Sequence, residues 1–145
     1  MIIDADVHIS PTPQGGNSIS AEVLIDRMDE AAVDKAIVWV QPPYVRDWLD
    51  ESQRYIYESS KRFPGRFLSF GWVDPNLGFE RGKETAKRCV EEYGCLGVKL
   101  NGAQNTFYID DPDVSIPLVE EIAKYTNVIA LHCGADVGDF THPYR

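Results

Sequence analysis

Cysteine is scarce in this chain: three residues in 145, an odd number, with no C-x-x-C pair among them. A disulfide-built framework is not expected, and a reducing cytoplasm suits Cys89, Cys95 and Cys133 best. Positive charge is also short, with 14 Lys and Arg against 23 Asp and Glu and a net charge of -9. A nucleic-acid backbone or an anionic membrane surface is therefore not an expected partner. Long apolar runs are missing, since none approaches the roughly 18 residues a membrane span requires. Met1-Ile2-Ile3-Asp4 has no basic stretch leading into an apolar one, so no secretory signal is expected. Internal repeats and low-complexity tracts are absent too. What is there is ordinary globular composition, 43% hydrophobic and 26% charged, enough for one core and a single domain over residues 1–145.

Short apolar runs alternate with longer segments of helical period. Ile2 to Ile9 is rich in β-branched residues and reads as a strand, followed by a breaker-dense loop from Ser10 to Asn17. Ser20 is a natural N-cap, with Glu22 in the first turn and Val23, Leu24, Met28, Ala31 and Ala32 as one apolar stripe. Ala36–Val40 is a second strand, stopped by Gln41-Pro42-Pro43. A helix is expected from about Val45 to Arg62, with Val45, Trp48, Leu49, Ile56 and Phe63 on one side. Phe67–Val73 is a third strand. A third helix carries Phe79, Ala86, Val90 and Tyr93 and stops at Gly94. Cys95–Leu100 is a fourth strand, Ile116–Tyr125 a fourth helix with Pro117 in its first turn, and Val128–His132 a fifth strand.

Strand and helix in alternation imply parallel pairing with right-handed crossovers. The rival arrangements are an open doubly wound sheet and a (β/α)₈ barrel. A dinucleotide-binding sheet needs G-x-G-x-x-G after its first strand, whereas this one runs into Pro11, Pro13 and Gly15-Gly16. Polar, metal-capable residues stand at the C-terminal ends of the first and fifth strands, where barrels build their active sites. The expected fold is an α/β (β/α)₈ barrel of the TIM type with its first five strands and four helices readable. Such barrels run to about 250 residues, so residues 1–145 are expected to be an N-terminal portion, open at both edges, prone to self-association and inactive by itself.

Strand alternation puts Asp4, Asp6 and His8 on one face of the first strand, and Val128, Ala130 and His132 on one face of the fifth. Asp6, His8 and His132 are then the candidate metal ligands. One carboxylate and two imidazoles suit Zn²⁺ or a similar divalent ion that activates water. The bland alternative makes each histidine a hydrogen-bonded interior residue balanced by Asp6. Cys133 alternates outward, His142 sits in a Pro-marked turn, and Cys89 and Cys95 read as inert buried thiols. Trp39 and Gln41 could line a pocket, Asp74 could cap the next segment or touch substrate, and Asp110–Asp113 reads as a solvated loop.

Ile3-Asp4-Ala5-Asp6-Val7-His8-Ile9 resembles the first-strand motif of the amidohydrolase superfamily, in the amidohydrolase-2 branch that includes aromatic-acid decarboxylase-like members. Phe63-Pro64-Gly65-Arg66-Phe67 with Val73-Asp74-Pro75, Gly97-Val98-Lys99-Leu100 and Leu131-His132-Cys133-Gly134 resemble later strands of that branch, in the same order. Two departures stand out. Asp6 replaces the first His of the usual H-x-H, which admits Mn²⁺ beside Zn²⁺. The family's sixth-strand His and eighth-strand Asp have no counterpart. The resemblance implies a metal-dependent barrel acting on a small molecule. Lys99, inward with Gly97 and Asn101, would be either a carbamylated metal bridge, as in binuclear relatives, or an unmodified cation near the substrate, which is preferred here. A salt bridge to Asp4 or Asp6 is the alternative. The expected activity is hydrolysis of an amide, ester or lactone. Non-oxidative decarboxylation on the same scaffold, or a non-catalytic metal-binding half-barrel, are the rivals.

Overall fold

A computed structural model describes residues 1–11, 19–40 and 48–132. Five strands run parallel in chain order: β1 (Ile3–Ile9), β2 (Lys35–Val40), β3 (Phe67–Trp72), β4 (Gly97–Asn101) and β5 (Ile129–His132). The order never reverses. A doubly wound sheet doubles back at a switch point, whereas a barrel is wound in one direction. The five strands are thus a half-barrel, as the sequence predicts.

Helices cover one side of the sheet. Between β1 and β2 lies α1 (Ala21–Glu30), and between β2 and β3 lies α2 (Leu49–Arg62). Their apolar faces close on Ile9, Ala36, Val38, Val40 and Phe67. The Ser20 side chain caps α1 by accepting from the Val23 N–H at 3.3 Å. Ala21, Leu24 and Met28 are the buried stripe, narrower than expected. Val23 is exposed, and the helix has already ended at Ala31, with Ala32 at φ 52. On α2, Leu49 and Ile56 are buried as expected, Trp48 is exposed instead, and Val45 lies outside the described residues. Gln53 and Ser59 fill the remaining buried positions of α2.

The third helical segment is compound. A 3₁₀ turn at Pro75–Leu77 leads into α3 (Phe79–Lys87), which continues as a π turn over Arg88–Glu92. The Tyr93 N–H donates to the Arg88 carbonyl at 3.0 Å, and Gly94 at φ +68 reverses the chain. Phe79 is exposed rather than on the apolar side. After β4 comes a short helix that the sequence reading missed, α4 (Gly102–Asn105), and then α5 (Ser115–Ile122). Val98 and Leu100 pack against Ala86, Leu118 and Ile122 in a second core. Among the described residues, no helix is long and apolar enough to cross a membrane.

Candidate functional site

The face of the sheet opposite the helices carries the polar residues. Val98 and Leu100 of β4 face the helix-side core, so alternation turns Gly97, Lys99 and Asn101 to the other face. In register, Lys99 lies beside Ala130 and Asn101 beside His132. Ala130 leaves room for the lysine. Gly97 allows β5 to come close, because a Cβ there would run into the Val128 carbonyl and the Phe70 ring.

β1 departs from simple alternation. Asp4 pairs with Ala36 and Val7 with Val38, so three steps on β1 match two on β2. This bulge shifts the parity. Asp4 falls opposite helix-facing Ala36, while His8 falls opposite Trp39. Asp4 therefore does not share a face with Asp6 and His8, which corrects the expected trio. Its carboxylate accepts instead from the Asp6 N–H at 3.4 Å.

Past the bulge, Asp6, His8, Trp39 and Lys99 converge. His8 Nδ1 donates to the Val40 carbonyl at 2.7 Å, which leaves Nε2 as the ring's lone-pair nitrogen. The Trp39 indole N–H donates to that nitrogen at 3.0 Å, and Asp6 Oδ1 stands 3.4 Å from it. Burial pushes the His8 pKa down, against the opposing pull of the Val40 carbonyl and Asp6, so neutral imidazole is favoured. Lys99 is 6% exposed, with its Nζ 3.6 Å from the Trp39 ring centroid and 3.8 Å from Asp6 Oδ1. Burial lowers its pKa and Asp6 partly restores it. The expected alternative of an ion pair with Asp6 is thus present, but as a long contact to a carboxylate that is 66% exposed. Trp39 lines the site, and Phe70 packs edge-on against it at 5.7 Å.

His132 is half-buried at the end of β5, within electrostatic reach of His8. Its Nε2 is buried and has no hydrogen-bond partner among the described residues. No group of three His, Cys, Asp or Glu side chains able to hold an ion is assembled among the described residues. The three expected ligands come from two strands facing one interior, and only Asp6 and His8 are in direct contact.

The cap at Asn101 escaped the sequence reading. Asn101 ends β4 and caps α4, its Oδ1 accepting from the Gln104 N–H at 3.0 Å. An Asn followed by Gly after a strand is a cap signal that could have shown it. Asp74 is fully buried. It accepts from the Asn76 N–H at 3.0 Å and from Asn105 Nδ2 at 3.1 Å, while the Trp72 indole donates to Asn105 Oδ1. Asp74 is therefore the cap of the following turn. Asp111 likewise serves its loop, accepting from the N–H groups of Asp113 and Val114. Gln41, Cys133 and His142 lie outside the described residues.

A parallel sheet wound in one direction, with polar residues gathered toward the strand C-termini, defines the class of barrels that place their sites at that rim. The chain belongs to the Amidohydrolase (Amidohydro_2) family, whose model matches residues 3–145. No curated protein sequence matches the chain. Among solved structures, 2,6-dihydroxybenzoate decarboxylase from Rhizobium aligns with a TM-score of 0.75 and 19% identity, over 99% of this chain and 53% of that one. Dihydroxybenzoic acid decarboxylase from Polaromonas sp. JS666, solved with manganese and the inhibitor 2-nitroresorcinol, gives 0.72 and 19%, over 94% and 50%. 4-Oxalomesaconate hydratase from Rhodopseudomonas palustris gives 0.71 and 16%, over 91% and 52%. At these identities the likeness is one of fold. The chain spans about half the length of the solved proteins it matches.

Proposed function

We propose that residues 1–145 form the β1–β5 half of a metal-dependent barrel enzyme that releases the carboxylate of a small organic acid as carbon dioxide. The observation that carries this reading is Lys99. Its ammonium is already stripped of most water, held over the Trp39 ring and beside Asp6. A substrate carboxylate brought to it meets a charge little screened by solvent. The solved relatives support an acid substrate: two are decarboxylases of dihydroxybenzoic acids and one is a hydratase of 4-oxalomesaconate.

Asp6, His8 and His132 are the proposed ligands of one divalent ion, Zn²⁺ or Mn²⁺. The donor set suits either. The residues fit such an ion in two further respects: His8 presents Nε2 because Val40 holds Nδ1, and His132 Nε2 is buried without a partner. When bound, the ion supplies Lewis-acid polarisation of the substrate's oxygens. Lys99 orients the carboxylate by charge, and Trp39 with Phe70 forms an aromatic wall that excludes water. To free the His8 lone pair, the Trp39 indole gives up its present hydrogen bond.

Hydrolysis of an amide, ester or lactone is the second reading, favoured by membership of the Amidohydrolase family. The two are separated by supplying the complete barrel, of which residues 1–145 are the β1–β5 half, with Mn²⁺ or Zn²⁺ and offering hydroxybenzoic acids beside amides, esters and lactones. Metal-dependent release of carbon dioxide is expected. Release of amine or alcohol without carbon dioxide overturns decarboxylation in favour of hydrolysis. Metal uptake with neither product overturns both and leaves a metal-binding half-barrel.

A further inference from the structure

Cys89 and Cys95 lie away from the candidate site, against the helices that cover β3 and β4. Cys89 sits in the π turn and is fully buried, while Cys95 leads into β4 and is 8% exposed. Six positions apart in sequence, they are brought together by the turn at Gly94. The Cys95 N–H donates to the Cys89 carbonyl at 2.9 Å, which sets the two residues side by side. The Cys89 thiol donates its one proton to Gln53 Oε1 at 2.9 Å. β3 makes way for Cys89 at Gly71, where a Cβ would stand 2.5 Å from Cys89 Cβ and 2.6 Å from its Sγ. The surroundings split the two sulfurs: the neighbouring Cys89 and Ser69 side chains pull the Cys95 thiol down, while the neighbouring Cys95 and burial push the Cys89 thiol up.

We propose that Cys89 and Cys95 form a redox-modification site, a dithiol that an oxidant of the peroxide class converts to an intrachain disulfide. The Cys95 thiolate attacks one peroxide oxygen, the O–O bond breaks, and the departing hydroxide takes a proton to become water. Cys95 is left as a sulfenic acid. The Cys89 sulfur then attacks the Cys95 sulfur and the S–O bond breaks. The hydroxide released takes the Cys89 proton as a second water. Two thiols and one hydrogen peroxide give one disulfide and two waters; both sulfurs are oxidised by one electron each and the peroxide is reduced by two. The bond ties the end of the π turn to the strand that carries Lys99 and Asn101. This inference is independent of the proposed reaction.

Peptide mapping of the full chain tests it. Cleavage after Arg88 and Lys99 releases both cysteines in one peptide, and cleavage after Glu91 or Glu92 separates them. After hydrogen peroxide treatment of the folded chain, the 89–99 peptide should lose two hydrogens and resist alkylation. Its halves should stay joined until a thiol reductant is added. In Cys89→Ser, dimedone should trap a sulfenic acid on Cys95. Full alkylation of both cysteines after peroxide, a Cys133 linkage in place of this one, or a link formed only in denaturant would overturn the proposal. The mapping of the unsubstituted chain decides even where the variant does not fold.

Discussion

A buried lysine is costly unless its charge is compensated. Lys99 meets that demand with the face of Trp39 and the carboxylate of Asp6. Because Asp6 is largely exposed, solvent screens its share, and the ring face is the closer and drier partner. In the proposed reaction, this cation is the group that meets the substrate carboxylate. In the complete barrel enzyme, Lys99→Ala is expected to lower kcat/KM by about 10²–10³, the size of losing one preorganised electrostatic contact, and to lower metal content far less. Steady-state kinetics beside metal analysis check this. Metal lost in proportion to activity, or a carbamate found on Lys99 by intact mass, would sink it. Lys99 and His132 were legible from alternation alone, because β4 and β5 run without a bulge. Trp39 was legible only as a residue that could line a pocket or belong to the core; nothing in the sequence shows its indole on His8 and its face under Lys99.

At the scale of elements, local chemistry predicts starts and stops better than interiors. The Ser20 cap, the Gly94 stop and Pro117 inside the first turn of α5 all stand where propensity puts them. The π turn after α3, the bulge in β1 and the buried Gln53 do not follow from propensity. Each is set by a neighbour: Gln53 is buried because it accepts from the Trp72 N–H and Cys89 across the layer. This contrast is measurable. Ser20→Ala should cost about 1 kcal/mol, one lost cap. Gly97→Ala should cost more, roughly 1–3 kcal/mol, because the new methyl meets a strand backbone that cannot turn aside. Urea denaturation of the two variants should rank them in that order; a reversed order would show that β5 moves freely against β4.

For the whole molecule, the outer side of β1 meets no further strand among the described residues and carries only the isolated bridge between Ile9 and Ile19. Ile3, at the start of β1, is 41% exposed, so this margin shows apolar surface. A margin of this kind invites association. The 145-residue chain is expected to scatter light as more than a monomer, and Ile3→Lys should shift it toward the monomer. A monomer at high concentration without this substitution would refute the expectation.

The period of apolar residues, the breakers between them and the residue types at strand ends are properties of the chain itself, and they determined strand number, parallel pairing and, by simple alternation, the face on which Lys99 and His132 lie. Asp6 and His8 were read on one face with Asp4, which the bulge turns away. Strand pairing decided that, since a bulge exists only relative to a partner strand. Packing across the sheet decided the rest: which ring covers Lys99, which lone pair His8 presents, and that two cysteines six residues apart are joined by a backbone hydrogen bond. These depend on contacts between distant segments, which periodicity within one segment does not encode.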